Sequence, residues 1–84
     1  MNEVKPLELR QLQYFVEVAK REHISQAADN LNVAQSAVSR QIANLEAELG
    51  APLFERIGRN VKLTPVGKIF LEHTLTALKA VDFA

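Results

Sequence analysis

Apolar residues recur at helical spacing over the first part of this 84-residue chain. From Leu7 onward they fall on one stripe, while polar residues such as Arg10 and Glu17 fall on the opposite side. This pattern predicts an amphipathic helix that packs on a core. Met1 to Pro6 lacks the pattern, and we expect a short unstructured lead-in there. The stripe consists of Leu9, Leu12, Phe15, Val16 and Ala19.

A second helix is expected to begin where the sequence His23-Ile24-Ser25 breaks this period. Ser25 is a suitable N-cap for a helix that runs to about Leu31. Small residues on its inward side, Ala27 and Ala28, permit another helix to approach closely. Asn32 suits the position after the helix because asparagine tolerates a left-handed backbone.

The third helix is expected from about Gln35 to Leu49, because Gly50 and Pro52 follow it. Together with the second helix it forms a predicted helix-turn-helix over about residues 24–43. One face of the third helix is apolar and the other is small and polar. The apolar face holds Val38, Ile42, Leu45 and Leu49, and the polar face holds Ser36, Ser39, Arg40 and Ala43.

The small polar face differs from an ordinary solvated helix surface, which usually carries Lys and Glu. Hydroxyl and amide groups can reach the base edges of DNA, and small side chains leave room for the duplex. This face therefore favours DNA recognition. The alternative is that serine and alanine are merely tolerated near the start of a helix.

A β-hairpin is predicted over about residues 53–64, with its turn at Ile57 to Asn60. Arg56, Arg59 and Lys62 cluster on or beside its tip. A basic hairpin beside a helix-turn-helix makes a winged helix, and an arginine on the wing can enter a minor groove. The alternative is a charged turn that only meets solvent.

A fourth helix is predicted over residues 65–84, with Thr64 as N-cap and Pro65 at its first position. Its apolar surface is too broad for three helices to cover, so we expect it to pack on a second copy of the chain. The pattern continues to Ala84 without a cap, which is typical of a fragment of a longer protein. The side chains expected at the dimer interface are Ile69, Phe70, Leu71, Leu75, Leu78 and Val81.

Charge and composition narrow the function further. Ten basic and ten acidic residues cancel overall, but residues 51–68 carry four basic side chains against the single acid Glu55. Binding to nucleic acid must therefore depend on local charge. The chain has no cysteine, and His23 and His73 are far apart. These features leave no metal cluster and no catalytic set, and they count against an enzyme.

The chain also lacks an apolar segment of the roughly twenty residues that span a bilayer, which predicts a cytoplasmic protein. An interaction adaptor whose helix-turn-helix binds protein remains the alternative to a DNA-binding module. Salt-sensitive binding to promoter DNA distinguishes the two.

Three ordered segments carry a family resemblance: LRQLQYFVEVA at 9–19, SQAADNLNVAQSAVSRQIANLEAELG at 25–50 and LFERIGRNVKLTPVG at 53–67. The chain resembles the N-terminal DNA-binding domain of LysR-type transcriptional regulators. The resemblance implies a mainly α fold, with a winged helix-turn-helix over 7–64 and a linker helix over 65–84 that pairs two subunits. It also implies a C-terminal effector-binding domain, absent from this chain, that binds a small-molecule coinducer.

The same resemblance implies binding to interrupted inverted repeats in promoter DNA of the bacterial nucleoid, by a homodimer that can form tetramers at full length. Gln35, Ser36 and Ser39 match the family's base-reading positions, and Arg40 matches a contact to the DNA backbone beside them. Position 36 often holds proline in the family, whereas this chain has Ser36, whose hydroxyl can donate to a base.

Outside the recognition helix, the resemblance assigns phosphate contacts to Ser25 and Arg56. The dipole of the second helix suits a phosphate near Ser25. Arg59 matches the wing arginine directed toward the minor groove. Lys62 completes the basic cluster of the predicted hairpin.

Overall fold

Four helices and one β-hairpin make up residues 8–82, the part of the chain that the computed structural model describes, with side chains described through Lys79. The mainly α winged helix-turn-helix is therefore confirmed. The lead-in at Met1 to Pro6, the start at Leu7, the side chain of Val81 and the end at Ala84 lie outside the described residues. The elements are α1 (Leu9–Arg21), α2 (Ile24–Leu31), α3 (Gln35–Leu49), β1 (Phe54–Ile57), β2 (Asn60–Leu63) and α4 (Pro65–Asp82).

The core is built around Phe15 of α1, which is fully buried. Its ring meets Phe54 of the hairpin at a centroid distance of 5.4 Å and Phe70 of α4 at 5.2 Å. Both are tilted or edge-on geometries, which aromatic pairs prefer. α1 therefore joins the hairpin and α4 to the helix-turn-helix. The other large side chains that are fully buried are Val18, Val38, Leu45 and Leu53.

The buried face of α1 differs from the predicted stripe. Leu9 is 45% exposed, whereas Gln11 is only 5% exposed and Val18 is fully buried. Gln11 can be buried because its side-chain oxygen accepts a hydrogen bond from the backbone N–H of Glu8, at 3.4 Å, in a capping box. The prediction that Leu9 faces the core was wrong, because apolar spacing does not register a capped glutamine.

The start of α2 also differs from the prediction. His23, and not Ser25, is its N-cap, and the Nδ1 atom of His23 accepts from the N–H of Gln26 at 3.3 Å. Ser25 lies in the first turn, with its Oγ 3.1 Å from the same Nδ1. The helix begins early because Ile24 is buried in the core and is the first helical residue. The buried apolar side chain sets the boundary here.

The turn between α2 and α3 agrees with the prediction. Asn32 has a left-handed backbone, with φ of 60°, and its N–H donates to the carbonyls of Ala28 and Asp29. Ala27 and Ala28 are buried, as expected for close helix packing. α3 has its predicted bounds, with Gly50 as its C-cap, although Leu49 is 38% exposed and does not belong to the buried face.

Glu17 links α1 to α2, although its place on the polar side of α1 predicted a solvated residue. Its Oε2 accepts from Arg21 Nε at 2.8 Å and from Asn30 Nδ2. The hydrogen bond from Arg21 lowers the pKa of Glu17 below its ordinary value, and the one from Asn30 acts in the same direction. The carboxylate is therefore ionised at neutral pH and holds the two helices together.

The hairpin forms as predicted, with the two-residue turn Gly58-Arg59. Its strands pair antiparallel, Arg56 opposite Val61 and Glu55 opposite Lys62. Gly58 has φ of 62°, a value that tight hairpin turns require and that glycine adopts readily. The segment before α2 adds to this sheet, because the N–H of Val61 donates to the carbonyl of Glu22 at 3.0 Å.

The base of the hairpin is fixed to the start of α4. Thr64 caps α4 as predicted, since its Oγ1 accepts from the N–H of Gly67 at 2.9 Å. The same hydroxyl donates to the carbonyl of Pro52 at 2.8 Å, and the N–H of Thr64 donates to the carbonyl of Leu53 at 3.0 Å. A Cβ atom at Gly67 would lie 2.2 Å from that Leu53 carbonyl oxygen. Only glycine fits at this crossing.

We expect Gly67→Ala to destabilise the fold by about 1–3 kcal/mol, because the added methyl group overlaps backbone that cannot move freely. The direction of this change in stability is informative, because alanine normally stabilises a helix interior relative to glycine by about 1 kcal/mol. Urea unfolding followed by circular dichroism measures the change. Lys68→Ala, at the exposed neighbouring position, should alter stability by less than about 0.5 kcal/mol. A Gly67→Ala variant as stable as the unmodified chain would contradict the crossing described here.

Candidate nucleic-acid interface

A polar concavity of about 330 Å³ lies where the start of α2, the start of α3 and the hairpin meet. We call it the basic notch. It brings together four of the predicted DNA-binding residues, although they are far apart in sequence. Its lining consists of His23, Ile24, Ser25, Gln35, Arg56 and Arg59.

The electrostatics of the basic notch suit an anion. Two guanidinium groups, Arg56 and Arg59, line it, and its described lining holds no carboxylate. The amino-terminal end of α2, at Ser25, adds the positive end of a helix dipole. Arginine forks and helix N-termini are the groups that bind phosphate oxygens in proteins. The notch can therefore hold a phosphate beside Gln35, whose amide can bind a base edge.

A second concavity lies next to the first, between α3 and the hairpin, and we call it the helix–wing notch. Ser39, predicted as a base reader, is half-buried at its edge. Arg56 lines both notches and so connects the polar face of α3 to the hairpin. The full lining is Ile24, Ser39, Ile42, Ala43, Glu46, Phe54, Arg56 and Val61.

Three predicted residues lie outside both notches. Ser36 and Arg40 are exposed on α3 and, at about 100° per residue, share an arc of roughly 140° with Gln35 and Ser39. They therefore belong to the same helix face without entering a concavity. Lys62 is exposed on β2, where it pairs with Glu55 and lies on the strand face opposite buried Val61. The DNA contacts assigned to all three remain predictions.

Two residues at this surface were not predicted. His23 caps α2, lines the basic notch and forms a bridge with Asn60 of the hairpin. Histidine is not among the preferred caps, so only the break in helical period could have pointed to it. Glu46 lies outside the predicted apolar and polar faces of α3, and its carboxylate accepts hydrogen bonds from the backbone of the hairpin base. No periodic pattern marks a contact from a helical residue to the irregular segment seven positions later.

The predicted dimer residues on α4 divide into two groups. Ile69 is 59% exposed and Leu75 is 48% exposed, so both present apolar surface to solvent in the single chain. Phe70 and Leu71 are instead half-buried against the core of the same chain. Leu78 is half-buried. The interface itself remains a prediction.

Metal binding and membrane insertion would each leave a recognisable feature in the fold. Among residues 8–82, no three His, Cys, Asp or Glu side chains are placed so that they could hold a metal ion. None of the described helices is long and apolar enough to cross a membrane.

Comparison with known proteins identifies the family. Residues 9–68 match the sequence model of the bacterial regulatory helix-turn-helix protein, lysR family. The chain is similar to GltC of Bacillus subtilis, a transcriptional dual regulator, with 70% identity over 78 residues that cover 93% of this chain and 26% of GltC. It is 49% identical to the regulator BenM of Acinetobacter baylyi over 76 residues, which cover 90% of this chain and 25% of BenM. The chain thus spans about a quarter of the length of these curated relatives.

Solved structures give the same result. The DNA-binding domain of CbnR, crystallised with DNA, matches with a TM-score of 0.86 and 41% identity, over 89% of this chain and 86% of that one. The DNA-binding domain of BenM, crystallised with benA site 1 DNA, matches with a TM-score of 0.85 and 49% identity, over 89% and 87% of the two chains. The chain therefore belongs to the LysR family of bacterial helix-turn-helix regulators, as a sequence-specific DNA-binding domain and not an enzyme.

Proposed function

We propose that the chain recognises promoter DNA by placing α3 in the major groove and the tip of the hairpin in an adjacent minor groove. The observation that carries this proposal is the basic notch, where Gln35 lies beside Arg56 and Arg59. A group that can bind a base edge and groups that bind phosphate thus act at one place. The relatives CbnR and BenM were crystallised with DNA, which supports the proposal.

The different roles that we propose for α3 and the hairpin follow from the charge and size of their side chains. The exposed face of α3 carries serine, alanine and glutamine with the single cation Arg40, so it can discriminate bases but attracts DNA weakly. The hairpin supplies the missing charge. Arg59 stands in its two-residue turn, where a guanidinium can enter a narrow minor groove. Arg56, which lies on the hairpin next to α3, is suited to bind a phosphate between the two grooves.

The exposed apolar surface of α4 supports a homodimer. Ile69 and Leu75 remain open to solvent in the single chain, and pairing two α4 helices would cover such surface. Two copies would then read the two halves of an interrupted inverted repeat. A symmetric operator matches a twofold protein in this way.

We assign regulation to a longer protein of which this chain would be one part. We propose that it acts in the bacterial cytoplasm, on the nucleoid, and that a small-molecule coinducer binds its C-terminal effector domain outside these 84 residues. The chain covers only 26% of GltC, which leaves room for such a domain. Adding the coinducer should change the DNA affinity of the longer protein and leave that of this chain unchanged.

Replacing Arg56 or Arg59 with alanine should weaken operator binding roughly tenfold and lower the salt slope of log affinity by about 0.9 for each phosphate that is no longer neutralised. Gel shifts at several salt concentrations measure both quantities. Arg10→Ala removes the same charge from the exposed surface of α1 and is the matched control. Unchanged slopes in both hairpin variants would exclude this assignment. The absence of any salt-sensitive shift in the unmodified chain would favour a protein-binding adaptor.

Gln35→Ala and Ser39→Ala should relax sequence discrimination, because each removes a group that can bind a base edge. The ratio of affinities for operator and mismatched duplex should fall roughly 5- to 100-fold, as expected when a specific hydrogen bond to a base is removed. The operator is first selected from a random duplex pool with the unmodified chain. Gln13→Ala, exposed on α1, should keep the full ratio. If both α3 variants also keep it, the reading face lies elsewhere.

The paired substitution Leu75→Glu and Leu78→Glu should convert the dimer to a monomer, because two carboxylates cannot be buried at an apolar interface. Sedimentation velocity gives the oligomeric state, and circular dichroism shows that the fold is kept. Thr76→Glu, at an exposed position on another side of α4, is the control and should remain dimeric. A double variant as dimeric as the unmodified chain, or an unmodified chain that is monomeric, would place the interface outside α4.

A further inference from the structure

Glu46 organises the connection between α3 and the hairpin through two acceptors. Its side-chain Oε2 accepts from the N–H of Leu53 at 2.7 Å and from that of Phe54 at 3.3 Å. Its main-chain carbonyl accepts from Gly50 at 2.8 Å and from Ala51 at 3.3 Å. One residue of the recognition helix therefore receives four N–H groups from residues 50–54.

Among residues 8–82, the N–H groups of Gly50, Ala51 and Leu53 donate to no acceptor other than Glu46. The segment after Gly50 is neither helix nor strand until Phe54, and Leu53 is fully buried. A buried N–H without an acceptor costs free energy comparable to that of one hydrogen bond. A carboxylate forms short, charge-assisted bonds with such donors. The side chain of Glu46 is accordingly half-buried, whereas Glu48 on the same helix is exposed.

The same short segment is held from the opposite side by α4. The hydroxyl of Thr64 donates to the carbonyl of Pro52, and its N–H donates to the carbonyl of Leu53. Residues 52–54 are therefore fixed between Glu46 and Thr64. The hairpin leaves the domain from a base whose position depends on both helices.

The positions of the hairpin arginines depend on the position of this base. Phe54 begins β1, and Arg56 follows two residues later on the same strand face. Arg56 and Glu46 both line the helix–wing notch, together with Ser39 of the reading face. The distance from Ser39 to the guanidinium of Arg56 therefore depends on the hydrogen bonds that join Glu46 to the hairpin base. Recognition sites need such distances held to about 0.5 Å.

We propose that Glu46 is a positioning residue for DNA binding, which sets the hairpin against α3 so that Arg56 reaches phosphate while α3 reads bases. This inference rests on the proposed function, because it presupposes that α3 and the hairpin bind DNA together. The role depends on the reach of the side chain and on an acceptor oxygen. A neutral amide oxygen at the same reach can accept the same two N–H groups, so the role does not require a formal negative charge.

Three substitutions at this position separate reach from charge. Glu46→Asp keeps the charge but is one methylene too short, Glu46→Gln keeps the reach and an acceptor oxygen, and Glu46→Ala removes both. Glu48→Gln and Glu48→Ala are the matched controls, because they remove the same charge from an exposed position on the same helix. Affinity for the selected operator is measured against salt concentration, at a temperature well below every unfolding midpoint.

The Asp and Ala variants should bind roughly 3- to 10-fold more weakly, with a salt slope lower by about 0.9, equivalent to one neutralised phosphate. The Gln variant should bind like Glu48→Gln. In a double-mutant cycle, Arg56→Ala should cost about twofold or less in the Glu46→Asp background, because Arg56 is already misplaced there. A purely structural role would lower the unfolding midpoint without changing the slope. If Glu46→Ala does not fold, the Asp and Gln variants carry the comparison.

Each contrary result has its own meaning. If Arg56→Ala weakens binding but Glu46→Asp keeps the unmodified affinity and slope, Glu46 does not position the hairpin. Additive costs in the cycle, or a Gln variant as weak as the Asp variant, overturn the inference in the same way. If Arg56→Ala itself binds like the unmodified chain, Arg56 makes no phosphate contact and this inference fails; the proposed function fails as well only if Arg59→Ala also keeps the unmodified slope.

Discussion

The packing of Phe15 is the contact on which the rest of the structure depends. Its ring is enclosed by Phe54 from the hairpin and Phe70 from α4, while the rest of α1 packs on α2 and α3. An 84-residue chain without disulfides has a thin core, so one aromatic centre must serve several elements. The helix-turn-helix, the hairpin and α4 share this centre. The surface that we propose for DNA binding lies on the side of the domain where the first two of them meet.

Much of the fold could be predicted because local chemistry decided it. Gly50 and Pro52 follow α3 where it ends, Asn32 accepts the left-handed turn, and Thr64 with Pro65 begins α4. In each case the side chain of a single residue explains why a helix begins, ends or turns there. The convergence of Gln35 with Arg59 could be expected from the family resemblance, and the basic notch brings them together. It could not be expected from helical periodicity alone.

What could not be predicted involves polar side chains whose hydrogen-bond partners the pattern of apolar residues does not mark. Gln11 is buried because it caps its own helix, and Glu17 joins two helices that its spacing alone would not connect. His23 replaces Ser25 as a cap because Ile24 is drawn into the core. Glu46 reaches across an irregular segment. In each case the hydrogen-bond partner is absent from the local pattern, so hydrophobic periodicity assigns the residue to solvent.

The crossing at Gly67 has a mechanical consequence. There the backbone of α4 lies directly against the carbonyl of Leu53, with no side chain between them. Side chains can change rotamer and absorb a displacement, whereas two backbones in contact cannot. The start of α4 and the base of the hairpin must therefore move together as one rigid unit. A tilt of α4 relative to α3 would therefore displace the base of the hairpin and strain the hydrogen bonds that Glu46 of α3 makes to it.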